Sequence, residues 1–160
     1  MQSLMEQDAD KQVQPIQDAY EDATSWCYGC GRLNEHGLHF RTFAQGEGAV
    51  TRYIPEPYHL GAQGFIYGGL IASLIDCHSM ATAAAAGYAS EGRPIGSEPR
   101  LRYVTASLRV DYLAPTPMGE TLEVSGRAAE IKGRKIVVVS ELRAKGQLCA
   151  RGEVVAVRLR

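Results

Sequence analysis

The stretch that most limits what this chain can fold into is residues 64–86, GFIYGGLIASLIDCHSMATAAAA. Leu70, Ile71, Leu74, Ile75, Met80 and a run of alanines surround the axis of a helix here and leave no wide polar face. A helix apolar on every side is normally a buried one. One carboxylate, Asp76, sits in its middle. Desolvating a lone carboxylate is expensive, so an Asp retained there points to chemistry. Gly68 and Gly69 open the helix. The start of a helix offers unpaired backbone amides with the positive end of its dipole behind them, and glycines let another group approach closely. The structural alternatives are a buried Asp held by an arginine or a backbone amide, and glycines that serve helix–sheet packing.

Composition sets the frame around this helix. A chain of 160 residues, 45% hydrophobic and 22% charged, is one globular domain with a single core. A net charge of −1 provides no global field for nucleic acid or an anionic membrane, and neither is expected as a partner. The charge is uneven, because Glu6, Asp8, Asp10, Asp18, Glu21 and Asp22 stand against Lys11 alone in residues 1–22. Residues 1–24 are therefore expected to be an acidic, mobile segment ahead of a domain at 25–160. No cationic-then-apolar leader is visible, and the four cysteines read as reduced thiols, so a cytoplasmic location is expected. Residues 68–89 nearly suffice to span a bilayer, but Asp76 and His78 interrupt them, which favours a core helix.

The rest of the chain reads as strand. Residues 38–45 and 49–54 flank Gly46-Glu47-Gly48 as a hairpin that ends at Pro55 and Pro57. The helix follows over about 68–87, and 90–100 is a glycine- and proline-rich loop. In residues 102–113 Val104, Ala106, Leu108, Val110 and Tyr112 alternate with Thr105, Ser107, Arg109 and Asp111, placing Thr105 on the face opposite the apolar row. Two more strands flank Lys132-Gly133, and a last one follows Gly146-Gln147. The order is two strands, one buried helix and four long strands. One antiparallel sheet wrapped around the helix gives most of the cover it needs, and a second subunit or loops must give the rest. This is an α+β hotdog fold.

The residues themselves resemble a family. GFIYGGLIASLIDCH is similar to the signature of hotdog-fold acyl-CoA thioesterases of the PaaI-type branch. In those proteins a glycine, two spacers and His-Gly-Gly precede a helix whose Asp lies nine residues after the His. Gly64, Tyr67-Gly68-Gly69 and Asp76 reproduce that spacing, with Tyr67 at the place of the His. The Asn six residues before that His falls on Gly61. VTASLRVDYLAPTPMGETLEVSGRAAEIKGRK resembles the family's central strand, its turn and the following hairpin, and CYGCGRLNEHGLHF resembles a lead-in found in one subgroup. The resemblance covers roughly residues 26–159.

It implies hydrolysis of an acyl-CoA to CoA and a carboxylate, with no metal or redox cofactor and CoA present only as part of the substrate. Asp76 is the expected base or nucleophile, with the amides of Gly68 and Gly69 as donors to the developing oxyanion. Thr105 matches a Ser/Thr that in relatives helps hold the water with the Asp, although a mid-strand threonine is unremarkable by itself. Tyr67, Gln63 and Gly64 are expected at the thioester, where Gln63 or the Tyr67 phenol could replace the missing His. Lys132, Arg134 and Lys135 form a cationic turn suited to the phosphates of CoA, or simply a solvated turn.

Eight residues separate Gly68 from Asp76, about 12 Å along a helix. One carbonyl cannot touch both within a chain. Joint action requires two antiparallel helices across a two-fold axis, a homodimer with shared sites that could double to a tetramer. His78 points away from Asp76 and reads as a packing or interface histidine. Cys77 and His78 diverge too far to be a nucleophile–base pair. Cys27, Cys30, His36 and His39 could hold a structural zinc, although the resemblance gives the cysteine pair a packing role. The rival functions are a non-catalytic acyl-CoA binding module and another hotdog enzyme such as a hydratase or dehydratase.

Overall fold

In a computed structural model, which describes residues 13–160, strands β1 (Thr42–Gln45) and β2 (Gly48–Tyr53) precede helix α1 (Gly68–Ser90). Strands β3 (Tyr103–Tyr112), β4 (Leu122–Lys132), β5 (Lys135–Ala144) and β6 (Gln147–Arg158) follow it. All pair antiparallel in one sheet of order β1-β2-β4-β5-β6-β3. The sheet wraps α1, which packs against every strand, as the hotdog fold requires.

Alternation builds the core. Leu122 and Val124 of β4, Leu142 of β5, and Ala150 and Val154 of β6 are buried with Leu70, Ile71, Leu74 and Ile75 of the helix, while Ile136, Val138 and Ala156 are buried around Ala83 nearer its end. Glycine sets how close the two layers come. A Cβ on Gly152 would lie 2.4 Å from Ile75, and one on Gly126 would lie 2.7 Å from His78 Nε2.

The helix is less enclosed than its sequence predicts. Gly68, Gly69, Ala72, Ser73, Asp76 and Met80 form a partly exposed stripe at four-residue spacing, only partly covered by the chain's own sheet. By length and composition α1 could cross a membrane, yet 61% of its most apolar window is buried in the protein. It also runs past the expected stop at Gly87. That glycine leaves room for the Tyr103 ring, whose hydroxyl lies 2.3 Å from where a Cβ would be.

The lead-in departs from expectation in two places. β1 begins at Thr42 rather than near Leu38, because residues 28–40 turn back on themselves: the amides of Leu38 and Phe40 donate to Tyr28 and Gly29. Residues 13–24, expected in the mobile acidic segment, instead include two 3-10 turns, Ile16–Ala19 and Asp22–Thr24, docked on the domain. Ile16 packs with Ala49 and Ala81. The acids hold the segment in place, since Asp18 pairs with Arg41 at 2.7 Å, Glu21 with Arg102 at 3.1 Å, and Asp22 with Arg32. Glu6, Asp8 and Asp10 lie outside the described residues.

One irregularity in β3 matters for the site. The register against β6 shifts between Thr105 and Ser107, so Ala106 is an extra residue in a bulge. Alternation is reset there. Tyr103, Thr105, Val110 and Tyr112 all turn toward the helix, correcting the reading that placed Thr105 opposite the apolar row. Bulges of this kind re-aim side chains.

Candidate active site

Asp76 lies on the open stripe of α1, half-buried. The reset strand brings Thr105 to it, and the Thr105 hydroxyl donates to Asp76 Oδ1 at 2.6 Å. Burial pushes the Asp76 carboxyl above its usual range, and the Thr105 hydrogen bond pulls it partly back. The two residues share the wall of a cavity of about 170 Å³ with Cys27, Cys30, Cys77, Tyr20, Arg100 and Arg102, among others. A larger concavity, about 670 Å³, lies on the outer face of the sheet, lined by Arg109, Asp111, Glu141 and Arg151. Those four already pair, Arg109 with Asp111 at 3.4 Å and Arg151 with Glu141 at 3.5 Å.

The helix start forms the second half of the site. Tyr67 caps α1 without a side-chain bond, and its carbonyl accepts the amides of Leu70 and Ile71. Among the described residues no acceptor meets the amides of Gly68 and Gly69. The Gly68 carbonyl is fixed from the other side, because the Tyr112 hydroxyl donates to it at 2.7 Å. Tyr67, 55% exposed, folds its ring back over Gly69, where a Cβ would meet ring atoms at 2.3–2.5 Å. The aromatic that replaces the family His therefore depends on the glycine two residues later.

Gln63 and Gly64 are exposed in the loop before the helix. Gly64 adopts φ +84°, a left-handed turn that suits glycine, and its carbonyl accepts the Met118 amide at 2.9 Å. Gly61 donates its amide to Phe65 at 3.1 Å. Lys132, Arg134 and Lys135 are exposed at the β4–β5 turn, beside Ile136, which packs on Ala83 near the end of the helix. They do not line the Asp76 cavity. Its cations are Arg100 and Arg102, which composition gave no reason to single out from the loop.

His78 is a packing residue. It is fully buried at the end of a chain of hydrogen bonds. Thr42 N–H donates to Gln17 Oε1, so Gln17 Nε2 donates to Thr42 Oγ1; the Thr42 and Thr51 hydroxyls share a hydrogen bond, and Thr51 Oγ1 lies 2.8 Å from His78 Nδ1. Burial lowers the His78 pKa to about 4, so the imidazole stays neutral. The cysteines keep company other than the histidines. Cys27 and Cys30 meet Cys77, whereas His39 Nε2 donates to the Asn34 carbonyl at 2.6 Å.

Comparison with known proteins gives consistent results. The family model for the thioesterase superfamily matches residues 63–150. Acyl-coenzyme A thioesterase THEM4 of Xenopus laevis is 34% identical over 94 residues, covering 59% of this chain but 36% of the relative, so the chain spans about a third of that protein. A thioesterase superfamily protein of Shewanella loihica PV-4 is 42% identical, with a TM-score of 0.62 over 88% of this chain and 100% of that one. The PaaI protein of the E. coli phenylacetic acid degradation operon shares the fold at 18% identity, TM-score 0.63, over 77% of this chain and 81% of its own.

Proposed function

The chain belongs to the thioesterase superfamily, and from that premise we propose that it hydrolyses acyl-CoA thioesters at Asp76. The observation that carries this reading is the Thr105–Asp76 hydrogen bond on the wall of a cavity. It orients the carboxylate through Oδ1 and leaves Oδ2 to act on water or on the carbonyl carbon. In the water route, Oδ2 takes a proton as the water oxygen bonds to the acyl carbon. The carbon–sulfur bond then breaks, and the proton passes to the CoA sulfur. In the direct route Asp76 Oδ2 bonds to the acyl carbon as the carbon–sulfur bond breaks and CoA leaves as its thiolate; water then cleaves the mixed anhydride, releasing the acyl carboxylate, restoring Asp76 and supplying the proton for the CoA sulfur. Either way the oxyanion needs donors, and the bare amides of Gly68 and Gly69 suit it. Gln63, Gly64 and Tyr67 border that end of the substrate. Arg100 and Arg102, with Lys132, Arg134 and Lys135 farther out, are cationic partners for the CoA phosphates. This chemistry requires no metal or redox cofactor.

The separation of about 12 Å between Gly68 and Asp76 makes the working unit a homodimer, each site joining Asp76 of one chain to Gly68 of the other. The open helix stripe and the exposed apolar residues of edge strand β3 (Val104, Leu108, Tyr112) support that arrangement. Pairs of dimers could form a tetramer. The reduced cysteines fit a cytoplasmic protein.

The test is thiol release from a panel of short, medium, long and aromatic acyl-CoAs, with Asp76→Asn assayed alongside. Turnover of at least one class is expected, with a loss of about 10²-fold or more in the variant. Binding without turnover of any thioester would instead make the chain an acyl-CoA binding module, a reading favoured by Tyr67 at the His position.

A further inference from the structure

The loop that carries Cys27 and Cys30 ends against the helix directly beside Asp76, where it meets Cys77. The three thiol sulfurs lie within 4.8 Å of one another, and Cys27 Sγ and Cys77 Sγ are 3.9 Å apart. Zinc bonds thiolate sulfur at about 2.3 Å, and a tetrahedral ion therefore separates its sulfurs by about 3.8 Å. From this geometry we infer that Cys27, Cys30 and Cys77 together bind one Zn²⁺ ion, with its fourth position opening on the cavity that contains Asp76.

The local backbone is shaped for such a site. The Gly31 amide donates to the Cys27 carbonyl at 2.7 Å and closes a tight turn around the Cys-x-x-Cys segment. Gly31 cannot be replaced there, because a Cβ would sit 2.5 Å from Cys27 N and 2.6 Å from its carbonyl oxygen. Gly29 also brings the loop onto the third ligand, since a Cβ on it would lie 2.3 Å from Cys77 Sγ. Cys30 and Cys77 are buried and Cys27 is exposed, so the ion's open side is the solvent side. The ligands come from two distant parts of the chain. The ion would tie residues 25–40 to the helix next to Asp76, taking the place of the thiol protons.

This inference is independent of the hydrolytic reading and is tested without any assay of activity. The full-length chain, purified reduced, is loaded with Zn²⁺, and X-ray absorption at the zinc edge reads the first shell of the wild-type protein directly. Close to one equivalent per chain with three sulfurs is expected. Co²⁺ in its place should give intense thiolate-to-metal absorption. Cys77→Ser should weaken Zn²⁺ binding at least about tenfold, while Cys149→Ser, His36→Ala and His39→Ala leave it unchanged. Any of three results would overturn the assignment: no Zn²⁺ bound by the reduced chain, imidazole nitrogen in the first shell, or a Cys27–Cys77 disulfide with no ion in protein isolated under thiol-protecting conditions.

Discussion

Asp76 is governed by two opposed neighbours, an apolar surrounding that favours its neutral form and a hydroxyl that favours its carboxylate. Removing the hydroxyl therefore has a signed consequence. Thr105→Val should raise the Asp76 pKa, so the acidic limb of the kcat/KM profile should move to higher pH, with about a tenfold loss near neutrality. A profile that stays in place, or moves to lower pH, would mean that Thr105 does not act on the reacting carboxylate. Asp76 itself was legible because a charge on an apolar helix stands out without any structure. Thr105 was legible only through resemblance, since nothing local distinguishes a mid-strand threonine. Its orientation could not be read at all. The alternation over Val104–Tyr112 looks unbroken, and the bulge that overturns it exists only in the pairing with β6.

Among the elements, α1 and the sheet were predictable from period and punctuation, and what escaped is how closely they approach. Gly152 looks like a weak point within β6, yet it sits where Ile75 crosses the sheet. Gly152→Val should overpack that contact and lower stability by about 1–3 kcal/mol, measured by urea unfolding. The same approach buries His78, whose hydrogen-bond chain links the first 3-10 turn, β1, β2 and α1. Its folded pKa of about 4 lies below the unfolded 6.5. The neutral ring's contribution is therefore complete above about pH 6.5 and lost as the pH falls toward about 4, where the unfolded chain binds the proton first. The loss is about 3 kcal/mol over that window. His78→Gln, which cannot titrate, should show a correspondingly flatter dependence of its urea midpoint on pH. An equal slope in both proteins would remove His78 from the account. The docked 3-10 turns escaped for a related reason: Asp18, Glu21 and Asp22 find their arginines 10 or more residues away, so a locally acidic run looked free.

At the scale of the whole molecule, a single chain leaves the two parts of the proposed reaction centre apart. The carboxylate stands mid-helix with the Thr105 hydroxyl of β3 against it, the bare amides stand at the helix start, and carboxylate and amides lie on the partly exposed stripe. This much followed from counting eight residues at the helical rise. The thiol cluster beside Asp76 did not, because the whole of the first two strands and the start of α1 separate Cys77 from Cys27 and Cys30. The claim that two chains share each site is tested most directly by mixing two inactive variants. Asp76→Ala removes the carboxylate. Gly68→Pro deletes one oxyanion donor at a first-turn position that tolerates proline. Once the subunits have exchanged, half the dimers are mixed, and each of these has one of its two sites intact. The mixture should therefore regain about a quarter of wild-type thioester hydrolysis. Exchange verified by mass spectrometry with no activity regained would contradict a site shared between chains.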